Sequence, residues 1–268
     1  MLGAIIGDIA GSRFEFENYK GKDFELFHKD CCYTDDTVMT LAVCRAILDC
    51  AGDYTDLSKA AIRAMQKIGR KHPNCGFGEH FGFWIQSKDP QPYDSYGNGA
   101  AMRVSACGYA AKSIEEVKNL SYKVTCVSHS HKEGLKGAEA TAVCVFLART
   151  GKLIEEIKNY VKENYYAIDF TLDQIRRDYY FEISCQQTVP QALEAFFEST
   201  SFEDAVRNAI SISGDSDTIG AITGVVAGAF YGVPEELQNK ALAFLDNDLK
   251  KILKDFEAHF PTKTVFSL

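Results

Sequence analysis

Glycine recurs at every fourth position in two apolar helical stretches, Gly3, Gly7 and Gly11 near the start of the chain and Gly220, Gly224 and Gly228 near its end. At 3.6 residues per turn, fourfold spacing puts the three glycines of each stretch along one face. A glycine inside a helix costs about 1 kcal/mol relative to alanine, so six of them need a compensating gain. Close approach of two helix backbones supplies it, and the spacing predicts that these helices pack near the protein centre. In a membrane the same spacing would drive helix dimerisation, but Asp8, Asp215 and Asp217 and the short apolar length exclude that reading. A dinucleotide-binding loop is excluded as well, because the glycines are spaced by four and no strand precedes them.

Helical periodicity extends through most of the chain. Apolar residues fall three and four apart over 38–47, 57–68, 117–124, 154–161, 189–197 and 237–245, which predicts an all-α fold. Ser113 with Glu116 and Thr171 with Gln174 fit capping boxes, and Pro190 and Pro234 suit first helical turns. No Pro/Ser-rich or low-complexity linker divides the 268 residues, so residues 1–268 are read as one compact domain. The net charge of -8 comes without a basic run, which argues against free nucleic acid as a partner. Nine cysteines, odd in number and irregularly spaced, form neither a disulfide framework nor a zinc pattern, and point to a reducing cytoplasm. The first ten residues lack the basic start of a signal peptide, and no apolar run approaches the ~20 residues needed to cross a bilayer.

Two acidic clusters each stand directly before a helical pattern: Thr34-Asp35-Asp36-Thr37 near the start of the chain, and Asp215-Ser216-Asp217-Thr218, which opens the late glycine helix. Taken singly, either cluster is explained by helix capping and by the favourable field at a helix N-terminus. The recurrence of one composition at two helix starts shifts the balance, since a cap uses one side chain and leaves the second carboxylate without a partner. Adjacent buried carboxylates need a cation. Carboxylates and threonine hydroxyls are hard oxygen donors, the set that selects Mg2+, Mn2+ or Ca2+ over zinc.

Other segments are less specific by themselves. Glu15 follows the first helix in Gly7-Asp8-Ile9-Ala10-Gly11-Ser12-Arg13-Phe14-Glu15, a sequence that also reads as a polar helix stop. Residues 69–103 are rich in glycine, proline and aromatic residues and read as a binding loop. Within them Gly97-Asn98-Gly99-Ala100-Ala101-Met102-Arg103 leads into a helix and could turn backbone N–H groups toward a phosphate. His129 and His131 are two residues apart, do not share a helix face, and so do not form a helical zinc pair; one of them is read as lining the pocket. The cysteines read as small core hydrophobes.

Five ordered segments, GDIAGSRFE at 7–15, YTDDTVMT at 33–40, YGNGAAMRVS at 96–105, SHSHKEG at 128–134 and SGDSDTIGAITG at 213–224, resemble the ADP-ribosylglycohydrolases, the DraG or ARH-type ADP-ribosylhydrolases. The resemblance spans nearly the whole chain. It implies a compact orthogonal all-α domain with a binuclear centre of two Mg2+ or Mn2+ ions. Thr34, Asp35 and Asp36 match the family's first ligand triplet, and Asp215, Asp217 and Thr218 match the second. Glu15 matches a glutamate that lies on a mobile flap in some members. Gly97, Asn98, Gly99 and Met102 match the loop that holds ribose and diphosphate, and His129 or His131 matches a histidine of the substrate pocket. Ser216, inside the second cluster, is taken as a further substrate contact. Ser213 departs from the glycine common at its place in the family.

The activity implied is metal-dependent hydrolysis of the glycosidic bond at C1 of the ADP-ribose sugar, releasing ADP-ribose from a modified protein side chain or a small-molecule acceptor. Glu15, Asp35 and Asp36 are the candidate catalytic residues. A nucleotide pyrophosphate phosphohydrolase would use the same cations but release AMP or phosphate, and a silent ADP-ribose-binding protein would bind without turnover.

Overall fold

The computed structural model of the chain describes residues 1–265. Their helices are α1 (Leu2–Ser12), α2 (Asp35–Asp49), α3 (Leu57–Gly69), α4 (Glu79–Gln86), α5 (Gly99–Met102), α6 (Ser105–Ala110), α7 (Ile114–Thr125), α8 (Lys132–Arg149), α9 (Ile154–Asn164), α10 (Leu172–Arg176), α11 (Cys185–Phe197), α12 (Phe202–Ser211), α13 (Ser216–Tyr231), α14 (Glu235–Phe244) and α15 (Asn247–His259). The strands among the described residues are two-residue segments, β1 (Val233–Pro234) and β2 (Thr264–Val265), paired in parallel. The fold is all-α.

α13 is the axis of the molecule, buried from Ser216 to Ala229 and packed against α1, α8, α11 and α12. Its contact with α1 is the one the glycine spacing predicts. Gly3 faces Gly224, Gly7 faces Gly220 and Gly11 faces Ser216 and Asp217, so the two helices run antiparallel. A Cβ on Gly7 would overlap the Gly220 carbonyl, and one on Gly11 would lie 2.6 Å from the Asp217 Cα. Antiparallel packing at this separation brings the end of α1, with Glu15 just beyond it, to the start of α13, with Asp215 and Asp217.

The start of α8 is fixed by His131, whose Nδ1 accepts from the Glu133 N–H. Thr171 and Gln174 close both halves of a capping box on α10. Ser113 receives the Glu116 N–H, but the Glu116 carboxylate reaches back to the Lys112 N–H instead of that of Ser113. Pro190 falls inside α11 and not in its first turn, because the helix begins five residues earlier at Cys185; Pro234 caps α14 from outside. No helix among the described residues is long and apolar enough to cross a membrane.

Candidate metal centre and substrate cavity

The centre is assembled around Asp8, a fully buried carboxylate on the glycine helix α1. It accepts the backbone N–H groups of Thr34 and Thr37, both at 3.0 Å, the Thr34 hydroxyl at 2.8 Å and the Thr37 hydroxyl. Four donors to one carboxylate fix the turn that begins α2 against α1. Thr34 caps that helix through the Asp36 N–H at 3.2 Å. The Asp35 N–H donates to the Cys75 carbonyl at 2.7 Å, and Gly76 sits so close that a Cβ there would lie 3.1 Å from Asp35 Oδ1.

The second cluster meets the first directly, since the Thr218 hydroxyl donates to Asp36 Oδ2 at 3.1 Å. Asp215 accepts from the Asn98 side-chain amide at 2.6 Å, which joins the Gly97-Asn98-Gly99 turn to the carboxylates. Single oxygens of Glu15, Asp215 and Asp217 lie within 4.8 Å of one another. Asp215 is preceded by two left-handed residues, Ser213 at φ 64 and Gly214 at φ 83. A non-glycine residue there costs about 1–2 kcal/mol, a local strain held at the entrance to the acidic turn. Lys20 ties the Glu15 loop to this turn by donating to the carbonyls of Ile212, at 2.8 Å, and Tyr179.

Six carboxyl groups, Asp8, Glu15, Asp35, Asp36, Asp215 and Asp217, thus converge, and none of them forms a salt bridge among the described residues. Burial, followed by mutual repulsion, raises Asp35 and Asp36 well above the ordinary range. Asp217 is raised well above it by burial and by Asp215. Burial pushes Asp8 and Asp215 up to about 6. Glu15 is pushed up to about 7, first by burial and then by the charges of Asp217 and Asp8. The positive ends of α2 and α13 offset part of this repulsion. Asp36 Oδ1 remains buried with no hydrogen-bond partner. An all-oxygen donor set with one orphaned carboxylate oxygen fits a hard divalent cation.

These shifts have a consequence for stability. A carboxyl whose folded pKa is raised binds more protons folded than unfolded, so stability falls as pH rises from the unfolded value through the folded one. For Glu15 that window runs from 4.5 to about 7, and for Asp8 and Asp215 from 3.8 to about 6. In EDTA the melting temperature is therefore expected to drop between about pH 4 and about pH 7, and Mg2+ or Mn2+ at the higher pH to restore it. Thermal melts with and without chelator check this; a metal-free protein equally stable across that range would contradict it.

Four of the carboxyl groups, Glu15, Asp35, Asp36 and Asp215, line a cavity of about 490 Å³. Thr218 lines it with them, together with Gly97, Asn98, Gly99, Met102 and His129, and with Phe81, Tyr93 and Arg103. Phe16, Phe181 and Ile183 stand exposed at its edge. Some residues singled out from the sequence lie elsewhere. The Thr34 hydroxyl is held by Asp8, and Asp217 lies behind Asp215 and Glu15, in contact with the acidic group but not with the cavity space. Ser216 is fully buried and donates to the Gly11 carbonyl at 2.9 Å, so its hydroxyl closes the α1–α13 contact. His131 is engaged in capping α8, which leaves His129 as the pocket histidine of the pair.

Sequence reasoning missed the parts played by Asp8 and Arg103. A carboxylate among the glycines of an otherwise apolar helix was a signal for Asp8, because such a group must find several donors once the helix is buried. For Arg103 the sequence offered none, since its burial depends on where 128–129 and α4 come to lie.

A family model described as ADP-ribosylglycohydrolase matches residues 1–264. ADP-ribosylhydrolase ARH3 of Mus musculus is 25% identical, over 93% of this chain and 88% of the relative. ADP-ribosylarginine hydrolase Tri1 of Pseudomonas putida (strain GB-1) is 26% identical, over 87% of this chain and 70% of the relative. A solved structure titled ADP-ribosylglycohydrolase-related protein complex shares the fold with a TM-score of 0.64 at 23% identity, covering 91% of this chain and 95% of that one. With the family match running along almost its entire length, the chain belongs to the ADP-ribosylglycohydrolase family and is an enzyme of the ADP-ribosylhydrolase, glycosidase-like kind.

Proposed function

We propose that the protein hydrolyses the glycosidic bond at C1 of an ADP-ribose sugar, releasing ADP-ribose from a modified protein side chain or a small-molecule acceptor in a reaction dependent on Mg2+ or Mn2+. The observation that carries this reading is the meeting of both acidic clusters and Glu15 at a cavity that the Gly97-Asn98-Gly99 turn, hydrogen-bonded to Asp215, also lines. Asp35, Asp36, Asp215 and Asp217, with Thr218 and Thr34 in support, would hold two divalent cations. Such cations would neutralise the carboxylates and bind the ribose cis-diol, fixing the sugar.

The protein's own groups supply the rest. Glu15, partly exposed at the cavity wall, is a carboxyl that burial and the neighbouring Asp217 and Asp8 charges raise above the ordinary range before any cation binds, and its place suits a group that takes a proton from water or gives one to a leaving group. A carboxylate beside C1 that retains its charge would stabilise the positive charge that develops as the bond breaks. Asn98 holds Asp215, and Gly97 and Gly99 on either side of it carry no side chains, so a ribose or phosphate can approach the backbone. Apolar rings on the Tyr93 and Phe81 side offer a flat surface for the remainder of the ligand.

Purified protein incubated with Mg2+ or Mn2+ and a panel of arginine-, serine- and nucleobase-linked ADP-ribose substrates is expected to release intact ADP-ribose, identified by mass spectrometry, and to stop in EDTA. AMP or phosphate as product would assign a phosphohydrolase instead. Tight ADP-ribose binding without any product would assign a silent binder.

A further inference from the structure

Arg103 follows the Gly97–Met102 segment and is almost wholly buried, with its guanidinium 4.8 Å above the ring of Phe81. Among the described residues no carboxylate forms a salt bridge with it. Its Nη2 instead donates to the Ser128 hydroxyl at 2.7 Å and lies 3.2 Å from Nδ1 of His129. Ser128 Oγ is itself 2.9 Å from that nitrogen. A guanidinium has five N–H donors and no acceptor, and it remains protonated at neutral pH even with burial bringing it down to about 10. Nδ1 of His129 must therefore be the accepting nitrogen.

We propose that Arg103 is a positioning residue that locks His129 in one neutral tautomer, with the proton on Nε2, so that His129 acts as a fixed hydrogen-bond donor into the cavity and takes no part in proton transfer. In a neutral imidazole one nitrogen donates and the other accepts, so acceptance at Nδ1 puts the hydrogen on Nε2. Nε2 is the nitrogen that faces the turn: a Cβ on Gly97 or on Gly99 would lie 3.6 Å from it. Protonating His129 would set an Nδ1–H against the Arg103 N–H groups and place two positive charges in contact within a buried site. The other titratable group packed on the ring is Tyr93, at 5.7 Å between centroids, which is neutral at working pH. Burial and the Arg103 charge both hold His129 well below the ordinary histidine range.

The consequence for recognition is definite. Whatever ligand atom meets His129 Nε2 is an acceptor, such as a phosphate oxygen, a sugar oxygen or an unprotonated ring nitrogen. That this ligand is ADP-ribose rests on the function proposed above, whereas the tautomer rests on the contacts made at Nδ1.

Nitrogen NMR of the protein labelled with [15N]histidine tests both levels, with the His129 signals among the six histidines assigned by their loss in His129→Gln. The expected wild-type spectrum shows Nε2 protonated and Nδ1 bare, unchanged from about pH 5 to about pH 8, where an ordinary histidine titrates. In Arg103→Met the His129 signals are expected to mix tautomers or titrate within that range. In Ser128→Ala, which keeps Arg103, they are expected to stay as in wild type, and this variant decides the matter if Arg103→Met does not fold. A wild-type Nδ1–H tautomer, wild-type titration, an unchanged spectrum in folded Arg103→Met, or loss of the tautomer in Ser128→Ala would each overturn the assignment. Added ADP-ribose is expected to shift the Nε2 signal. If it does not while the tautomer is as stated, the ADP-ribose reading fails and the role of Arg103 stands.

Discussion

Asp217→Asn is expected to lower kcat roughly a thousandfold and, in EDTA, to raise the melting temperature by a few degrees. The two effects have one cause. Asp217 is buried beside Asp215, Asp8 and Glu15, and its carboxyl is held well above the ordinary range because a charge there is poorly solvated and repelled. Asparagine keeps the shape, still accepts the Thr218 N–H that Asp217 Oδ1 receives at 3.0 Å, and offers an amide donor to Asp215. Without a cation the variant therefore loses repulsion and keeps its hydrogen bonds, which favours the fold. With a cation it lacks one anionic ligand, so the stabilisation that Mg2+ or Mn2+ gives the wild type is expected to shrink along with turnover. Melts with and without EDTA, together with initial rates, separate the outcomes. Full activity in the variant would remove Asp217 from the centre, and destabilisation in EDTA would show that its charge is better compensated than its surroundings suggest.

Gly7→Ala is expected to destabilise the protein by about 3 kcal/mol or more and to abolish activity in whatever folded fraction remains. On helix propensity alone the change would be stabilising by about 1 kcal/mol, so the sign of the effect is itself informative. The added methyl would overlap the Gly220 carbonyl, a backbone atom of the central helix with no rotamer through which to move away. Separating α1 from α13 would carry Asp8 away from the Thr34 and Thr37 N–H groups and Glu15 away from Asp217, taking the acidic centre apart. Gly78→Ala is a suitable control, since a Cβ there meets nothing within 4 Å. Denaturant unfolding of the two variants checks the difference; equal stability would mean that the glycine spacing is incidental to the packing.

That contact was legible in the sequence because a glycine repeat leaves a regular, local trace. The helices with a polar face, such as α3 and α12, were similarly open to reading in principle, although only α3 was singled out. α8 was not, because it is buried on nearly all sides and so has no polar face to set a period. The paired acidic clusters pointed to a cation before their meeting could be seen, since two carboxylates at a helix start exceed what a cap requires. What the sequence could not resolve was which neighbouring polar group turns inward. His129 and His131, or Asp217 and Ser216, differ by one or two positions in the chain, and it is the helix start or the interhelical contact that directs one into the site and engages the other in holding the fold. Asp8 and Arg103 are hidden for the same reason: their partners, Thr34 and Thr37 in one case and Ser128 and His129 in the other, lie more than twenty residues away along the chain.

Calorimetric titration of Mn2+ into EDTA-stripped, dialysed wild type and Asp36→Asn tests the central claim, that two acidic clusters make one cation site. Asp36 is the residue to change because its Oδ2 meets Thr218 of the other cluster while its Oδ1 has no protein partner. The predicted result is two Mn2+ ions bound per wild-type chain, with at least one lost or greatly weakened in the variant. Absence of Mn2+ binding to the wild type, or equal binding by a folded Asp36→Asn, would contradict it.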